Sequence, residues 1–490
     1  MENWTQFDLT GIAVCSILTF IAYIVYTYKK TYSFWSSRGI KGPFPLPVFG
    51  NSLTYMFNIV PDVDIAYRKK YGKMYGIYDG PNPVLIISDP EIIEKVFITD
   101  HNNFRYHINF ASPDEMISNQ ILFKRGEELK RVRSLFTSGM TQAKLKSYFE
   151  LVNTDDLIKY LDSNIGQEVN VYNMVSIHML NILTQVFYGL DLDLFNNPNH
   201  DLIPNAKNIF VTFNTFSIYI TNNWPMIAKF LPDPTIEANK YLRSLVTFAL
   251  NERKKILEAK GEKDRTRNDF LQQVMDSNLT EMEKLSNSMF ALGAGFDTTS
   301  FTMSNVMYEL GRNKPVLRKL QEEIDQLFDG ETDKKITFDD LAKLSFLENC
   351  FTETLRLHPT DVRVFRQSSE TTKIPGTDVT IPANVTVNVP TFALHSDPDV
   401  YAQPEDFDPD RWSKERKGSI KNCSFMAFGA GPRKCPGGQF ALMNAKMALV
   451  QIFKRYDLEV SKRSSLKLKP GILMPYPRNI WIKFTPRSYD

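Results

Sequence analysis

One cysteine, Cys435, lies among glycines, prolines and two cations in the stretch FGAGPRKCPGGQF, residues 428–440. The apolar spacing of the residues after it predicts a buried helix, so Cys435 would stand at a helix N-terminus. There the helix dipole, backbone N–H groups and the charges of Arg433 and Lys434 favour thiolate over thiol. A thiolate serves as a nucleophile or as a metal ligand. A nucleophilic cysteine usually needs a neighbouring base, and the nearby sequence holds no histidine to serve as one.

A second unusual stretch is ALGAGFDTTSF, residues 291–301, inside a long helical pattern. Glycine within a helix costs about 1 kcal/mol relative to alanine, and a buried carboxylate such as Asp297 costs several unless it is paired. A threonine hydroxyl here can bond the preceding turn's carbonyl or a water. A glycine and a carboxylate within an apolar helix face have two explanations. Either the segment is a functional site, where Gly295 admits a ligand, or the helix packs closely against a neighbour.

The run ENCFTETLRLHP, residues 348–359, places Glu353 and Arg356 three residues apart on one helical face. This spacing allows a salt bridge, although exposed pairs of this kind are common and worth under about 1 kcal/mol. Arg411 follows in a proline-broken segment. We expect its guanidinium to complete a network of the three side chains.

The elements that position these residues belong to a large globular chain. It has 490 residues, 43% of them apolar, which excludes disorder and supports a large core. A formal net charge of +2 gives no support for a nucleic-acid partner. The four cysteines are too few and too scattered for a disulfide framework, and no zinc-type cluster accompanies them.

The first residues predict a membrane anchor. Residues 9–28 run without a charge, and twenty helical residues span about 30 Å, the thickness of a hydrocarbon core. Basic residues follow this span and acidic ones precede it, so the positive-inside rule puts the remainder in the cytoplasm. We expect an anchor over residues 1–28, a basic, proline-rich connector over 29–50, and one globular domain over 51–490.

Within that domain helical patterns predominate. They cover residues 127–148, 174–188, 238–259, 281–312 and 315–328, and Asp89 before Pro90 predicts a capped helix start. Strand patterns are few, so the fold class is mainly α with minor β. The apolar, aromatic region 209–231 is broken by Pro225, so it is a poor second span. It would cover a pocket, touch the bilayer surface, or be an ordinary core helix.

Taken together, these motifs resemble the cytochrome P450 family of haem-thiolate monooxygenases. Phe428, Gly431, Arg433, Cys435 and Gly437 fill the family's cysteine-ligand signature. The oxygen-activation helix, the Glu-x-x-Arg motif and the arginine after it follow the family's order, so the resemblance covers nearly the whole chain. The anchor, the connector and the run MYELGRNKP are most similar to animal microsomal members, particularly the branch that oxidises drugs and steroids.

The resemblance implies haem b bound through Cys435 as the metal ligand. Proton delivery to dioxygen would fall to the catalytic residues Thr298 and Asp297. The expected cofactor-binding residues are Cys435, Arg133, Arg433, Arg363, Phe428, Gly295, Ala294 and Gly437. Glu353, Arg356 and Arg411 would fix the ligand loop. One departure is Leu129, where many relatives carry a tryptophan that helps to hold a haem propionate.

The resemblance also implies a lipophilic substrate and O2. The expected pocket residues are Phe290, Ala291, Ala294, Val362, Val364, Phe104, Phe110 and Phe216. Electrons from NADPH would come through a separate flavoprotein reductase, with cytochrome b5 as an alternative donor, because the chain carries no nucleotide-binding fingerprint. A basic face would receive this partner, formed by Lys124, Arg125, Lys130, Arg131, Lys421, Lys434 and Lys446. The predicted location is the endoplasmic reticulum membrane, with membrane lipid as a further partner.

Two other functions remain open on sequence grounds. A haem-thiolate isomerase or dehydratase rearranges peroxides without a reductase, and Asp297 with Thr298 speaks against it. A membrane-anchored haem protein that only transfers electrons would need neither the glycine-bearing helix nor an apolar pocket. Dioxygen-dependent turnover with a reductase separates the three.

Overall fold

Helices dominate the chain, and short strands lie between them. The computed structural model describes residues 2–107, 114–209, 214–260, 269–329, 334–474 and 479–488. The helices are α1 Glu2–Tyr32, α2 Ser52–Phe57, α3 Val60–Tyr71, α4 Pro90–Glu94, α5 Glu115–Ser118, α6 Gly126–Gly139, α7 Gln142–Phe149, α8 Asp155–Asp162, α9 Val171–Leu183, α10 Leu202–Lys207, α11 Thr215–Asn223, α12 Pro225–Ala228, α13 Ile236–Lys260, α14 Phe270–Asp276, α15 Glu281–Arg312, α16 Lys314–Phe328, α17 Ser345–Leu357, α18 Thr391–His395 and α19 Gly438–Arg455. The strands are β1 Met74–Asp79, β2 Asn82–Ile87, β3 Glu168–Asn170, β4 Arg363–Gln367, β5 Thr372–Lys373, β6 Thr380–Ile381, β7 Thr386–Pro390, β8 Tyr456–Val460 and β9 Trp481–Pro486. The prediction of a mainly helical fold with minor sheet is confirmed.

The long helix α15 organises the helical core. It begins at a capping box, in which the Thr280 hydroxyl accepts from the Glu283 N–H and the Glu283 carboxylate accepts from the Thr280 N–H. Along its length it packs against α9, α13, α17 and α19. Buried residues from all of these helices form one continuous apolar cluster. This cluster fixes α15 as one wall of the site described below.

A four-stranded sheet in the order β1-β2-β7-β4 lies beside the helical core. Strand β7 pairs with β2 in parallel and with β4 antiparallel, with Arg363 opposite Pro390. Strand β4 is therefore an edge strand, and it comes directly after α17. The helix that carries Glu353 and Arg356 thus leads into the strand that lines the site.

Two helical predictions differ in detail from the structure. The predicted helix 127–148 is interrupted between α6 and α7, where a side chain on Gly139 would meet the ring of Phe270. The predicted helix 174–188 is continuous, but after Leu183 it widens to a π-helix at Thr184–Tyr188. The close contact at Gly139 comes from a neighbouring helix, which helix propensity does not encode.

Helix α1 contains the predicted anchor. Among the described residues one helix is long and apolar enough to cross a membrane, with a mean hydropathy of 1.8. The connector is not a free linker, because Trp35 is 2% exposed and its Nε1 donates to the Ile77 carbonyl at 3.0 Å. The packed domain therefore begins before the predicted boundary at Asn51, since the connector folds onto β1.

Region 209–231 forms the short helices α11 and α12 where the structure describes it. Several of its apolar side chains are exposed, among them Met226 at 71% and Phe230 at 85%. The interpretation of this region as a core helix is therefore wrong. Two aromatic side chains of the N-terminal part, Phe44 and Phe57, are also exposed.

Candidate active site

The loop before α19 is shaped around Cys435. Gly431 has φ of 69°, and a side chain there would fall 1.9 Å from the Phe97 carbonyl, so glycine is required. The Cys435 N–H donates to the Phe428 carbonyl at 2.8 Å and closes the loop. The Phe428 ring packs on Gly438, at the first turn of α19. Cys435 is thereby held just before the N-terminus of α19, where it lines a cavity.

Two opposing effects act on the pKa of the Cys435 thiol. Burial is the larger effect and raises the pKa, because it penalises the charged form. Hydrogen bonds from the N–H groups of Gly437 and Gly438 and the charge of Arg133 lower the pKa. The predicted stabilising groups are thus present, but in the protein alone burial outweighs them. A metal cation bound at this sulfur would favour the thiolate further.

The cavity that Cys435 faces has a volume of about 310 Å³. One of its walls is α15, which contributes Phe290, Ala291, Ala294, Gly295 and Thr298. The Thr298 hydroxyl donates to the Ala294 carbonyl at 2.6 Å, the bond to the preceding turn that the sequence suggested.

Gly295 lies both at the cavity and at a contact between helices. Its backbone lines the cavity, but a Cβ there would point at the Leu183 side chain, 3.0 Å from Cδ2. The missing side chain therefore lets α9 pack closely against α15. Close helix packing is the second of the two explanations that the sequence left open for this glycine.

Asp297 does not lie on the described cavity wall. It is 1% exposed, and its Oδ1 accepts a hydrogen bond from the Tyr172 hydroxyl at the start of α9. A tyrosine hydroxyl compensates part of the cost of burying this carboxylate. Sequence reasoning missed Tyr172, because nothing in its local pattern relates it to residues 125 positions later.

Three arginines near Cys435, namely Arg133, Arg366 and Arg433, form a cationic group that would favour a bound anion. Nε, Nη1 and Nη2 of Arg433 are buried and find no hydrogen-bond partner among the described residues. The charge of Arg133, together with burial, lowers the pKa of Arg433 to about 9. Burial and the charges of Arg433 and Arg133 likewise lower the pKa of Arg366 to about 9. Such a group of facing cations is stabilised when carboxylates bind between them.

Arg366 takes the place that the sequence prediction gave to Arg363. The Arg363 guanidinium is engaged by Asp64, with Nε–Oδ2 at 2.9 Å and Nη2–Oδ1 at 2.6 Å. The sequence alone did not separate two arginines three residues apart on one strand. Only the position of Asp64, on α3, decides between them.

His107 also lines the cavity. Burial lowers its pKa, and the charges of Arg433, Arg366 and Arg133 lower it further. The imidazole is therefore neutral and adds a polar group to the arginine side of the cavity. The sequence offered no signal for this role.

The residues present fit a haem. Arg133, Arg366 and Arg433 would hold its two propionates, the mostly apolar walls would enclose the ring, and Cys435 would ligate the iron. Leu129 is buried in the helical core, away from the cavity lining that the structure describes.

The structure brings Glu353, Arg356 and Arg411 together. Glu353 and Arg356 form a bidentate pair at 2.8 and 2.9 Å, and Arg411 Nε lies 3.3 Å from Glu353 Oε1. All three are buried. Arg356 also donates to the carbonyl groups of Pro404 and Asp406, and Trp412 Nε1 donates to Glu353. The network thus ties α17 to the segment that precedes the cysteine loop.

His395 connects this network with the cysteine loop. Its Nε2 accepts from the Met426 N–H at 2.9 Å, and its Nδ1 lies 3.1 Å from the Arg356 carbonyl. One nitrogen accepts and the other donates, which defines the neutral tautomer. Burial and the Arg356 charge lower the pKa of His395 to about 3, in agreement with a neutral ring.

Four predicted pocket residues need correction or comment. Val362 is buried beside the sheet and lines an adjoining cavity instead, and Phe104 packs in the core beneath the sheet. Phe216 is 53% exposed on α11, because that helix turns this face to the surface. Phe110 lies outside the described residues. Val364 lines the main cavity as predicted, together with the α15 residues.

Fold and site together define a haem-thiolate protein. The cytochrome P450 family profile matches residues 40–482. Cytochrome P450 3A28 of Bos taurus is 32% identical over 100% of this chain and 98% of its own length. Lithocholate 6-beta-hydroxylase of Mesocricetus auratus is 32% identical over 96% of this chain and 93% of its own length. The chain belongs to the cytochrome P450 family, and it is a monooxygenase with a thiolate-ligated haem.

Proposed function

We propose that this protein inserts one oxygen atom of O2 into a lipophilic small molecule of the xenobiotic, steroid or fatty acid class. The observation that carries the proposal is that Cys435 and Thr298 line one and the same mostly apolar cavity. Relatives at about one-third identity include a lithocholate 6-beta-hydroxylase, whose name describes steroid oxidation. A cavity with few polar groups suits a ligand of this kind.

When bound, the haem supplies the redox chemistry, and a thiolate ligand favours O–O cleavage. The chain's own residues orient and protect it. The N–H groups of Gly437 and Gly438 hydrogen-bond the Cys435 sulfur, and the Phe428 ring covers the start of α19. On the other wall the Thr298 hydroxyl holds a proton at the cavity surface, and Asp297 one residue away accepts from Tyr172. We assign Thr298 and Asp297 to proton delivery.

Electrons would come from NADPH through a separate flavoprotein reductase, with cytochrome b5 as an alternative donor. Lys130, Lys421 and Lys434 are exposed and would face an acidic partner. Lys446 leaves this predicted face, because its side chain is buried and bonds Glu348 at 2.8 Å. Arg131 and Lys124 are partly committed to Glu283. The docking surface is therefore smaller than the sequence suggested.

The location would be the endoplasmic reticulum membrane, with α1 as a single-pass anchor and the catalytic domain in the cytoplasm. The exposed apolar side chains of α11 and the segment after it add a second membrane contact. A lipophilic substrate would then reach the cavity from the bilayer.

The test is the absorption difference spectrum of the reduced protein with and without carbon monoxide, for the wild type and Cys435→Ser. We expect a strongly red-shifted Soret band in the wild type and its loss in the variant, because only a thiolate ligand produces that shift. Haem bound without the shift in the wild type would exclude this mechanism. A requirement for O2 and reductase then separates monooxygenation from peroxide rearrangement.

A further inference from the structure

An aspartate lies on the wall of the predicted haem and substrate cavity. Asp361 stands between α17 and β4, and it lines the same cavity as Cys435 and Thr298. Its charge is near enough to raise the pKa of Cys435. It also lines the adjoining cavity beside β1 and β2, so it stands where the two cavities meet.

Several buried carboxylates among the described residues have a cationic partner. Asp64 binds Arg363, Asp269 binds Arg253 at 2.6 Å, and Glu353 binds Arg356. Each of these pairs compensates the cost of removing two charges from water. Asp361 is less buried than these groups, because it lines two cavities and is partly exposed to them.

Asp361 departs from this pattern. Within the described ranges no hydrogen bond or ion pair reaches its carboxylate, and the cation two residues away, Arg363, is occupied by Asp64. The other cavity arginines form the cluster that we assign to the haem propionates. Burial alone raises the pKa of Asp361 to about 6, so most molecules carry a carboxylate there at neutral pH.

An unpaired carboxylate in a cavity costs stability, and such groups are typical of binding sites. The surrounding wall is otherwise suited to hydrocarbon: Phe290 and Ala291 come from α15, and Val364 and Phe365 come from β4. A ligand that satisfies both features is apolar over most of its surface and carries one cation. A protonated amine gains an ion pair with the carboxylate in addition to a hydrogen bond, whereas an alcohol gains only the hydrogen bond.

We propose that Asp361 anchors substrates that carry a protonated amine on an otherwise apolar molecule. This inference rests on the proposed function and names a substrate class for the same cavity. The anchor would orient the molecule, so that the end remote from the amine lies toward Cys435 and Thr298.

The test compares two probes of the same shape, a long-chain N,N-diisopropylamine and the hydrocarbon with CH in place of nitrogen. The isopropyl groups hinder direct binding of the nitrogen to iron. Dissociation constants are measured by equilibrium dialysis and by the Soret shift of the haem-loaded protein. We expect the wild type to bind the amine about 10- to 100-fold more tightly, the range for a hydrogen bond between charged groups.

Asp361→Asn should abolish this preference and leave hydrocarbon binding unchanged, while Asp361→Glu should retain it. Asp62→Asn is the matched control, since it removes the same charge from an exposed position of α3. Equal affinity of the wild type for the two probes would overturn the proposal, and this measurement needs no variant. So would an Asn variant that keeps the preference.

The two proposals fail in different ways. A wild type without the red-shifted carbon monoxide band would contradict the monooxygenase function itself. A wild type that shows the band, binds the hydrocarbon and does not prefer the amine would contradict the amine anchor alone.

Discussion

Thr298 and Asp297 are neighbours in sequence but occupy different environments. The Thr298 hydroxyl lies at the cavity wall, whereas Asp297 is buried against Tyr172 on α9. Successive helical residues point about 100° apart, and this rotation turns the Asp297 carboxylate toward α9 while Thr298 stays at the cavity. A role for Asp297 in proton delivery therefore passes through Thr298 or through a rearrangement at Tyr172.

Thr298→Val should uncouple electron use from oxygenation. The substitution keeps the shape of the side chain but removes the hydroxyl that bonds Ala294, so a positioned proton donor is lost. We expect the oxygenated product formed per NADPH to fall by about 10-fold or more, with a matching rise in hydrogen peroxide. Product, NADPH and peroxide are measured with a substrate that the wild type oxidises.

Thr302→Val is the control for this substitution. Thr302 also lines the cavity, and its hydroxyl donates to the Thr298 carbonyl at 2.8 Å, one turn farther along α15. It should leave the coupling close to that of the wild type. Equal uncoupling in both variants would show that the position of the hydroxyl is unimportant.

At the scale of elements, the cysteine loop depends on contacts that lie outside it. Helix α17 reaches the loop in two steps, from Glu353 and Arg356 to the segment around Arg411, and through His395 to the Met426 N–H. These contacts join segments that contribute little regular structure of their own. The rigidity of the loop therefore comes from buried polar bonds more than from secondary structure.

Glu353→Gln should destabilise the protein strongly. The variant keeps the size of the side chain but leaves Arg356 and Arg411 buried without a negative charge. Breaking a buried pair in this way costs about 3–5 kcal/mol. We expect that loss in the free energy of unfolding, measured by urea denaturation, together with weaker haem retention.

A surface pair provides the comparison for this prediction. Asp156 bonds the exposed Lys159 at 3.0 Å, so Asp156→Asn removes an ion pair in solvent. Its effect should stay below about 1 kcal/mol. If Glu353→Gln cost no more than this control, the network would not be what stabilises the loop.

At the scale of the whole molecule, the anchor and the catalytic domain meet at Trp35. The tryptophan ring covers Gly76, where any side chain would collide with it, and its Nε1 bonds the Ile77 carbonyl. The preceding helix carries exposed apolar side chains such as Phe20, at 64%. We therefore expect the boundary between the candidate anchor and the domain to lie between these two residues.

Deletion of residues 2–28 should leave the domain stable, whereas Trp35→Ala should not. The deletion removes exposed apolar surface, and we expect a change below about 1 kcal/mol in the free energy of unfolding. Trp35→Ala in the shortened protein removes a buried aromatic side chain and should cost about 3–5 kcal/mol. Urea denaturation measures both.

Phe44→Ala is the control in the same connector, since Phe44 is 76% exposed. It should have little effect on stability. A Trp35→Ala variant as stable as Phe44→Ala would mean that packing of the connector on the domain adds nothing to stability.

The sequence by itself determined the motifs and their local structure. The cysteine loop, α15, the capped start at Asp89 and the Glu353–Arg356 pair follow from patterns that span only a few residues. Patterns of this length record hydrophobic period, turn chemistry and helix capping, which act between near neighbours in the chain. The family resemblance rests on the same short motifs.

Only the tertiary structure decided which side chains face the cavity. Arg366 and not Arg363 joins the arginine cluster, because Asp64 of α3 binds the other; Asp297 turns to Tyr172, and Gly295 admits Leu183. Asp361 escaped notice because its significance lies in the absence of a partner among the described residues. Each outcome depends on contacts between residues far apart in the chain, and the energy of a buried charge is set by what surrounds it in space.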